Sequence, residues 1–248
     1  PLCEYNPFEA VKTNIIGSQN VIEASINENV KKIIALSTDK AAAPTSLYGA
    51  TKLTSDKLFI SANNYTGKND IKFSVVRYGN VFGSRGSVVP TFLKLKSSGF
   101  LPITDKKMTR FNITLSQGVN FVLKSFDKMW GGEIFVPKIP SYRIMDVAKA
   151  IAPTATINII GVRPGEKIHE EMISKSDSTL CAEFDDHYVI LPNMNSPKKL
   201  WDYEDYLNNS NPTRGELIKD RFSYNSKQNS RFLSIEELKD LVKSLKFQ

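Results

Sequence analysis

From Pro7 to about Asn29 the apolar residues Val11, Ile15, Val21, Ile22 and Ala24 return at a helical period, which predicts one long helix with a buried stripe. Asn6 is placed to cap that helix and Pro7 to occupy its first position, where the missing N–H costs nothing. The period then changes. "KKIIALST" (Lys31–Thr38) is a short run of aliphatic, largely β-branched residues, the pattern of a buried parallel strand. Ser46 caps a second helix reaching about Asn63, and "KFSVVRYGN" (Lys72–Asn80) is the next strand. Strand, helix, strand in this order predicts a parallel sheet and an α/β fold.

Beyond Asn80 the elements shorten. "VFGSRGSVVP" is a Gly/Ser loop, Val88–Ser97 a helix, and "LPITD" and "TRFNIT" short strands. Leu115–Met129 reads as a helix, "GEIFVP" as a strand, Ile144–Ile151 as a helix, "TINIIG" as a strand and "VRPGEK" as a loop. From about Asn193 to Arg231 the chain is rich in Asn, Ser and Lys and lacks a period, which predicts an extended or mobile tail; Ser234 then caps an amphipathic helix, "SIEELKDLVKSLKF". The expected divisions are 1–82, 83–192 and 193–248.

Composition removes several classes of function. A chain of 248 residues with 41% hydrophobic content supports a sizeable core. Two cysteines far apart, Cys3 and Cys181, make no disulfide framework and fit a reducing, cytoplasmic setting. Two histidines, His169 and His187, without Cys/His/Asp clustering at ligand spacing, argue against a metal centre. The net charge of +7 suits an anionic partner. The charges are dispersed, without a like-charge block or aromatic–basic interleaving, so a phosphorylated small molecule fits better than nucleic acid. No apolar run approaches a membrane span, so membrane insertion is not expected.

The chemistry concentrates in "STDKAAAPTSLYGATK" (Ser37–Lys52). Tyr48 and Lys52 are four apart and share a helix face. An ammonium beside a phenol stabilises the phenolate, making Tyr48 a candidate acid/base toward an alcohol; the competing reading is an ordinary helix-face pair. Asp39 and Lys40 at the strand's mouth are either a second acid/base pair or a solvated ion pair.

Four ordered motifs, "IIALST", "LYGATK", "VVRYGNVFGSRGSVVP" and "RPGEKIHEEM", resemble the extended short-chain dehydrogenase/reductases, and more narrowly the inverting UDP-N-acetylglucosamine 4,6-dehydratases that open pseudaminic acid synthesis. The resemblance implies a Rossmann-type sheet, with 1–82 the C-terminal portion of an NADP-binding domain, 83–192 a smaller nucleotide-sugar lobe and 193–248 a tail with a helix. It implies that Tyr48, assisted by Lys52, takes the C4 hydroxyl proton as hydride leaves for NADP, with Thr38 bonded to the C4 oxygen. Lys40 then acts as C5 base and Asp39 as acid for the departing C6 hydroxyl. Relatives acting on glucose nucleotides carry Asp-Glu at these two positions. Membrane-anchored relatives that retain the C5 configuration carry Met where this chain has Tyr48. A glycosyl epimerase needs no Asp-Lys pair.

The resemblance also places Tyr78 and Val81 beside the cofactor. Asn80, Arg85, Ser87 and Val89 line the substrate, with Lys40; Thr104, Met108 and Arg110 are further contacts, and Arg163 and Glu166 complete the set. Arginine suits diphosphate and glutamate suits ribose hydroxyls. His169 is expected to pack and hydrogen-bond. Members assemble from dimers to hexamers. In a typical member about 90 residues, two or three βα units with a Gly-rich cofactor turn, precede the position of Pro1. The sequence is therefore expected to be a fragment with an open strand edge, little NADP affinity and no turnover alone. A 5-inverting capsule-pathway enzyme, an epimerase and a non-enzymatic nucleotide-sugar module are the alternative readings.

Overall fold

The computed structural model of the chain describes residues 2–67, 69–193 and 201–245. The chain passes repeatedly between two compact units, at 78/79, 118/119, 138/139, 170/171 and 223/224, where the linear reading divides it at 82 and 192.

The first stretch holds the short helices α1 (Leu2–Tyr5) and α2 (Pro7–Val11), a π turn at Lys12–Ile16, α3 (Gly17–Asn27), strand β1 (Lys32–Thr38), α4 (Leu47–Ala62) and β2 (Lys72–Tyr78). Then come β3 (Asn80–Val81), α5 (Val88–Leu95), β4 (Phe100–Ile103) and β5 (Thr109–Ile113), followed by α6 (Leu115–Lys128) and β6 (Ile134–Pro137). β7 (Ser141–Arg143), α7 (Ile144–Ile151) and β8 (Thr156–Ile159) follow. The remainder is β9 (Glu171–Ile173), β10 (Cys181–Glu183), β11 (His187–Ile190), α8 (Tyr203–Asn209), β12 (Glu216–Leu217), β13 (Tyr224–Asn225) and α9 (Ile235–Ser244).

The first unit is built on a sheet of order β1-β2-β6-β11-β10-β12. β1, β2 and β6 run parallel; β11 and β10 continue antiparallel. The expected buried parallel strand is β2, whose Phe73, Val75 and Val76 are fully buried between two neighbours. β1 is the end strand and only partly covered, with Leu36 48% exposed; an end strand has no neighbour on one side to bury it. The stripe expected on α2 and α3 is likewise largely uncovered. Ile22 is buried, while Val11, Val21 and Ala24 are exposed. The intervening π turn winds with i→i+5 bonds, so residues spaced for an α-helix across it do not share a face.

The expected tail is instead structured wherever it is described; residues 194–200 lie outside the described residues. α8 is capped by the Asp202 carboxylate, which accepts from the N–H groups of Glu204 and Asp205. It buries Tyr206 and Leu207, and the Trp201 ring stacks on Tyr206 at 4.5 Å between centroids. Aromatic burial, not helical periodicity, anchors this segment.

The second unit carries the three strands β3-β5-β7, the parallel pair β4-β8 and helices α5, α7 and α9. Its core holds Val89, Phe92, Leu101, Ile103, Val147 and Leu238. α9 opens with the capping box read from the sequence: Ser234 Oγ accepts from the Glu237 N–H while the Glu237 carboxylate accepts from the Ser234 N–H.

Candidate active site

The site residues of the first unit sit at the carboxyl end of β1, where ligands bind in open α/β sheets. Thr38 ends the strand and caps a single 3₁₀ turn, Asp39–Ala41. Its Oγ1 accepts from the Lys40 N–H at 3.3 Å and donates to Asp39 Oδ1 at 2.9 Å. Lys40 Nζ donates to the same Oδ1, also at 2.9 Å. Asp39 is fully buried, and its second oxygen, Oδ2, has no partner among the described residues. A buried carboxylate oxygen left unpaired is costly and is an opening for a ligand group.

Helix α4 presses against this turn because residue 49 is glycine: a Cβ there would overlap the Lys40 carbonyl oxygen and touch Pro44. Ser46 caps the helix, its Oγ accepting from the Gly49 N–H. This docking places Tyr48, the preceding residue, beside the Thr38–Asp39–Lys40 cluster. Burial pushes the Tyr48 phenol above its ordinary pKa of 10.0; the Lys40 charge and a hydrogen bond with Thr38 oppose that, and Asp39 and Cys3 reinforce it. Thus Lys40 is the cation that acts on the phenol. The Lys52 ammonium instead donates to the Leu36 carbonyl at 2.8 Å. Burial lowers its pKa and Asp56 raises it. Tyr78 ends β2, and burial raises its phenol pKa.

In the second unit, Asn80 opens β3 directly opposite Asn112 of β5. The preceding Gly79 is required because a side chain there would overlap Phe111. The buried Oδ1 atoms of Asn80 and Asn112, and Ser87 Oγ, have no partner among the described residues. Val81 is half-buried beside Asn80 in β3. Arg85 is exposed in a loop whose Gly83 and Gly86 adopt positive φ. Ser87 is the N-cap residue of α5 without a side-chain capping bond. Val89 and Met108 are buried in the unit's core, so what they offer a ligand is backbone rather than side chain. Thr104 is half-buried.

Arg110 is held: its Nη1 donates to the carbonyls of Thr109 and Ile168, and Glu166 and Glu170 lie 3.7 Å from its guanidinium. Glu166 also accepts from the Arg163 N–H, while the Arg163 side chain is exposed. His169 Nδ1 bonds Thr109 Oγ1 at 2.8 Å, which in turn bonds Ser226 Oγ at 2.7 Å; this is the hydrogen-bonding role expected of it. Among the described residues no His/Cys/Asp/Glu cluster could hold a metal ion, and no helix is long and apolar enough to cross a membrane.

Sequence reasoning missed a buried ion cluster under the site. Arg77 of β2 donates to Asp56 Oδ2 at 3.1 Å, to Asp177 Oδ2 at 3.2 Å and to the Met172 carbonyl at 3.0 Å. Ser37 Oγ donates to Asp56 Oδ2 at 2.7 Å. The signal was present: an arginine inside "FSVVRY" is a charge in a buried strand and requires a buried partner.

Comparison with known proteins agrees with this architecture. Residues 1–192 match the family model described as polysaccharide biosynthesis protein. A Campylobacter jejuni protein named UDP-N-acetylglucosamine 4,6-dehydratase (inverting) is 55% identical over 98% of this chain and 72% of its own length. A Rickettsia canadensis protein named UDP-glucose 4-epimerase is 36% identical over 100% of this chain and 71% of its own. The X-ray structure of Pen from Bacillus thuringiensis superposes with a TM-score of 0.82 at 35% identity, over 98% of this chain and 72% of that one. With most of its length matched, the chain belongs to the polysaccharide biosynthesis protein family.

Proposed function

We propose that the chain carries the acid/base centre of an inverting UDP-N-acetylglucosamine 4,6-dehydratase that uses NADP and makes the 4-keto-6-deoxy arabino sugar opening pseudaminic acid synthesis. The observation that carries the reading is the Thr38–Asp39–Lys40–Tyr48 cluster. It combines an alcohol-directed phenol with a separate Asp–Lys pair, and the reaction needs both. Tyr48 and Lys52 on one face of α4, at the end of a parallel strand, fit a nicotinamide riboside. When bound, that cofactor accepts hydride from C4 and returns it to C6.

The chain's own groups move the protons. Tyr48 takes the C4 hydroxyl proton, helped by the nearby Lys40 charge, and Thr38 bonds the C4 oxygen. The new ketone acidifies C5. Lys40 must then be neutral to remove that proton, and Asp39 must carry one to give to the leaving C6 hydroxyl. Neutral amine and protonated acid are the existing ion pair with its proton moved across the 2.9 Å bond. That bond ends on Oδ1, so Oδ1 carries the proton toward the leaving C6 hydroxyl, and the unpartnered Oδ2 is open to a substrate group. For the UDP moiety we assign Asn80, Ser87 and the backbone at Val89, together with Arg85, Arg163 and Glu166. Thr104, Met108 and Arg110 support them, and Tyr78 and Val81 face the cofactor. The cytoplasm and a homo-oligomer complete the reading.

The test is proton NMR of the complete gene product with UDP-N-acetylglucosamine and NADP in D₂O. A new C6 methyl signal, deuterium at C5 and arabino couplings are expected. A 4-epimer without a methyl signal would transfer the chain to the epimerase reading, which the Rickettsia relatives favour. Retained C5 configuration would remove the inverting assignment.

A further inference from the structure

The buried ion cluster is tied to Lys52 by a closed ring of contacts. Lys52 Nζ donates to the carbonyl of Leu36. The next residue on the strand, Ser37, donates its hydroxyl to Asp56 Oδ2. Asp56 is one helical turn beyond Lys52 on α4, on the same face. Ser37 is the register partner of Arg77 across the β1–β2 pair, so both side chains leave the sheet on one side, and both converge on the same carboxylate oxygen. Asp56 and Arg77 are each 1% exposed. Two such charges are tolerated only as a well-bonded set, and removing one partner is expensive. Asp177 and the Met172 carbonyl hold Arg77 from its other side.

We propose that Asp56 is a positioning residue for the reaction: with Ser37 and Arg77 it locks the Lys52 ammonium onto the Leu36 carbonyl at the end of β1. The inference rests on the dehydratase reading only in assuming that a charged Lys52 is needed. Other groups facing this part of α4 do not replace Asp56. Tyr48 on the same helix and Asp39, Lys40 and Cys3 act on the phenol. Glu4 accepts from the Leu47 N–H at the helix start. Asn14 and Ser18, on the elements packed alongside, bond Thr51 and Ser55 and carry no charge.

The direct readout is the titration of Lys52 in the complete gene product labelled with ¹³C-lysine, its signal assigned by Lys52→Arg. In Asp56→Asn, which keeps a carbonyl acceptor but loses the charge, the Lys52 titration should fall by about one pH unit. The alkaline limb of turnover should move to lower pH by the same amount, with KM little changed. Asp56→Glu should return the limb toward its wild-type position even where kcat stays low. Asp177→Asn, which touches Arg77 but not Lys52, should lower the unfolding midpoint without moving the titration. If Asp56→Asn does not fold, Ser37→Ala decides: a lower kcat with a shifted Lys52 titration supports the ring, and an unmoved titration with normal kcat overturns it. A folded Asp56→Asn with an unmoved titration also overturns it. Absence of turnover on UDP-N-acetylglucosamine would defeat the functional reading while leaving the titration to judge this proposal.

Discussion

Asp39 spends one carboxylate oxygen on Thr38 and Lys40 and leaves the other without a partner. That asymmetry assigns the pair different tasks from the phenol four positions before Lys52, and single substitutions should separate them. If Tyr48 accepts the first proton as proposed, Tyr48→Phe should abolish C4 oxidation and everything after it. Lys40→Ala should still reduce the cofactor, seen as transient near-ultraviolet absorbance of the dihydronicotinamide, while C5 deuterium exchange falls by about 10²–10⁴-fold, the usual worth of a general base. Because the Lys40 charge lowers the phenol pKa, the reduction should itself need higher pH in this variant. Normal C5 exchange in Lys40→Ala would remove the base assignment. The spacing of Tyr48 and Lys52 on one helix face was readable in the sequence. That the Lys52 ammonium bonds the Leu36 carbonyl was not readable, because it depends on how α4 docks against β1.

Helix α4 owes its seat to one missing methyl group. Gly49→Ala would force the helix and the Asp39–Ala41 turn apart at the Lys40 carbonyl. A displacement of about 1 Å at catalytic groups costs roughly 10²-fold in rate. We expect that loss in turnover with helix content unchanged by circular dichroism; full activity would show that the turn does not need the helix. At α9, Ser234→Ala removes one half of the capping box and should cost about 1 kcal/mol, lowering the midpoint of thermal unfolding by about 2–4 °C. The Ser46 and Ser234 caps and the strand–helix alternation were readable because they are local, whereas Asn6 precedes α2 without a side-chain capping bond. Strands β9, β10 and β11 were not readable, since their short segments are fixed by their neighbours in the sheet. The same limit explains α8, whose Tyr206 is buried against Trp130 and Trp201. The exposure of β1 depended on its place at the end of the sheet, which no window of its own residues encodes.

On the scale of the molecule, stability should depend on acid through His187. Its ring stacks on Phe184 at 4.9 Å and its Nδ1 bonds Asp186 at 2.6 Å. Burial holds its pKa below 6.5, with Asp186 opposing. The unfolded chain therefore binds this proton first, so the stabilisation is complete above pH 6.5 and is lost as pH falls below that value toward the folded pKa. Urea midpoints measured from pH 8 to pH 5 should decline, and His187→Phe should flatten the decline; an unchanged slope would assign it to other groups. A different consequence follows from the way the chain crosses five times between its units. A ribosome releases the chain from its amino end, and domains ordinarily fold in that order. Here the first unit lacks a strand of its sheet until Leu217 has emerged, and the second lacks Leu238, fully buried in its core, until α9 follows. Neither unit can finish folding before its last segment has emerged. Until then the emerging chain holds an incomplete sheet, and its yield in a cell should depend on the chaperones that meet it.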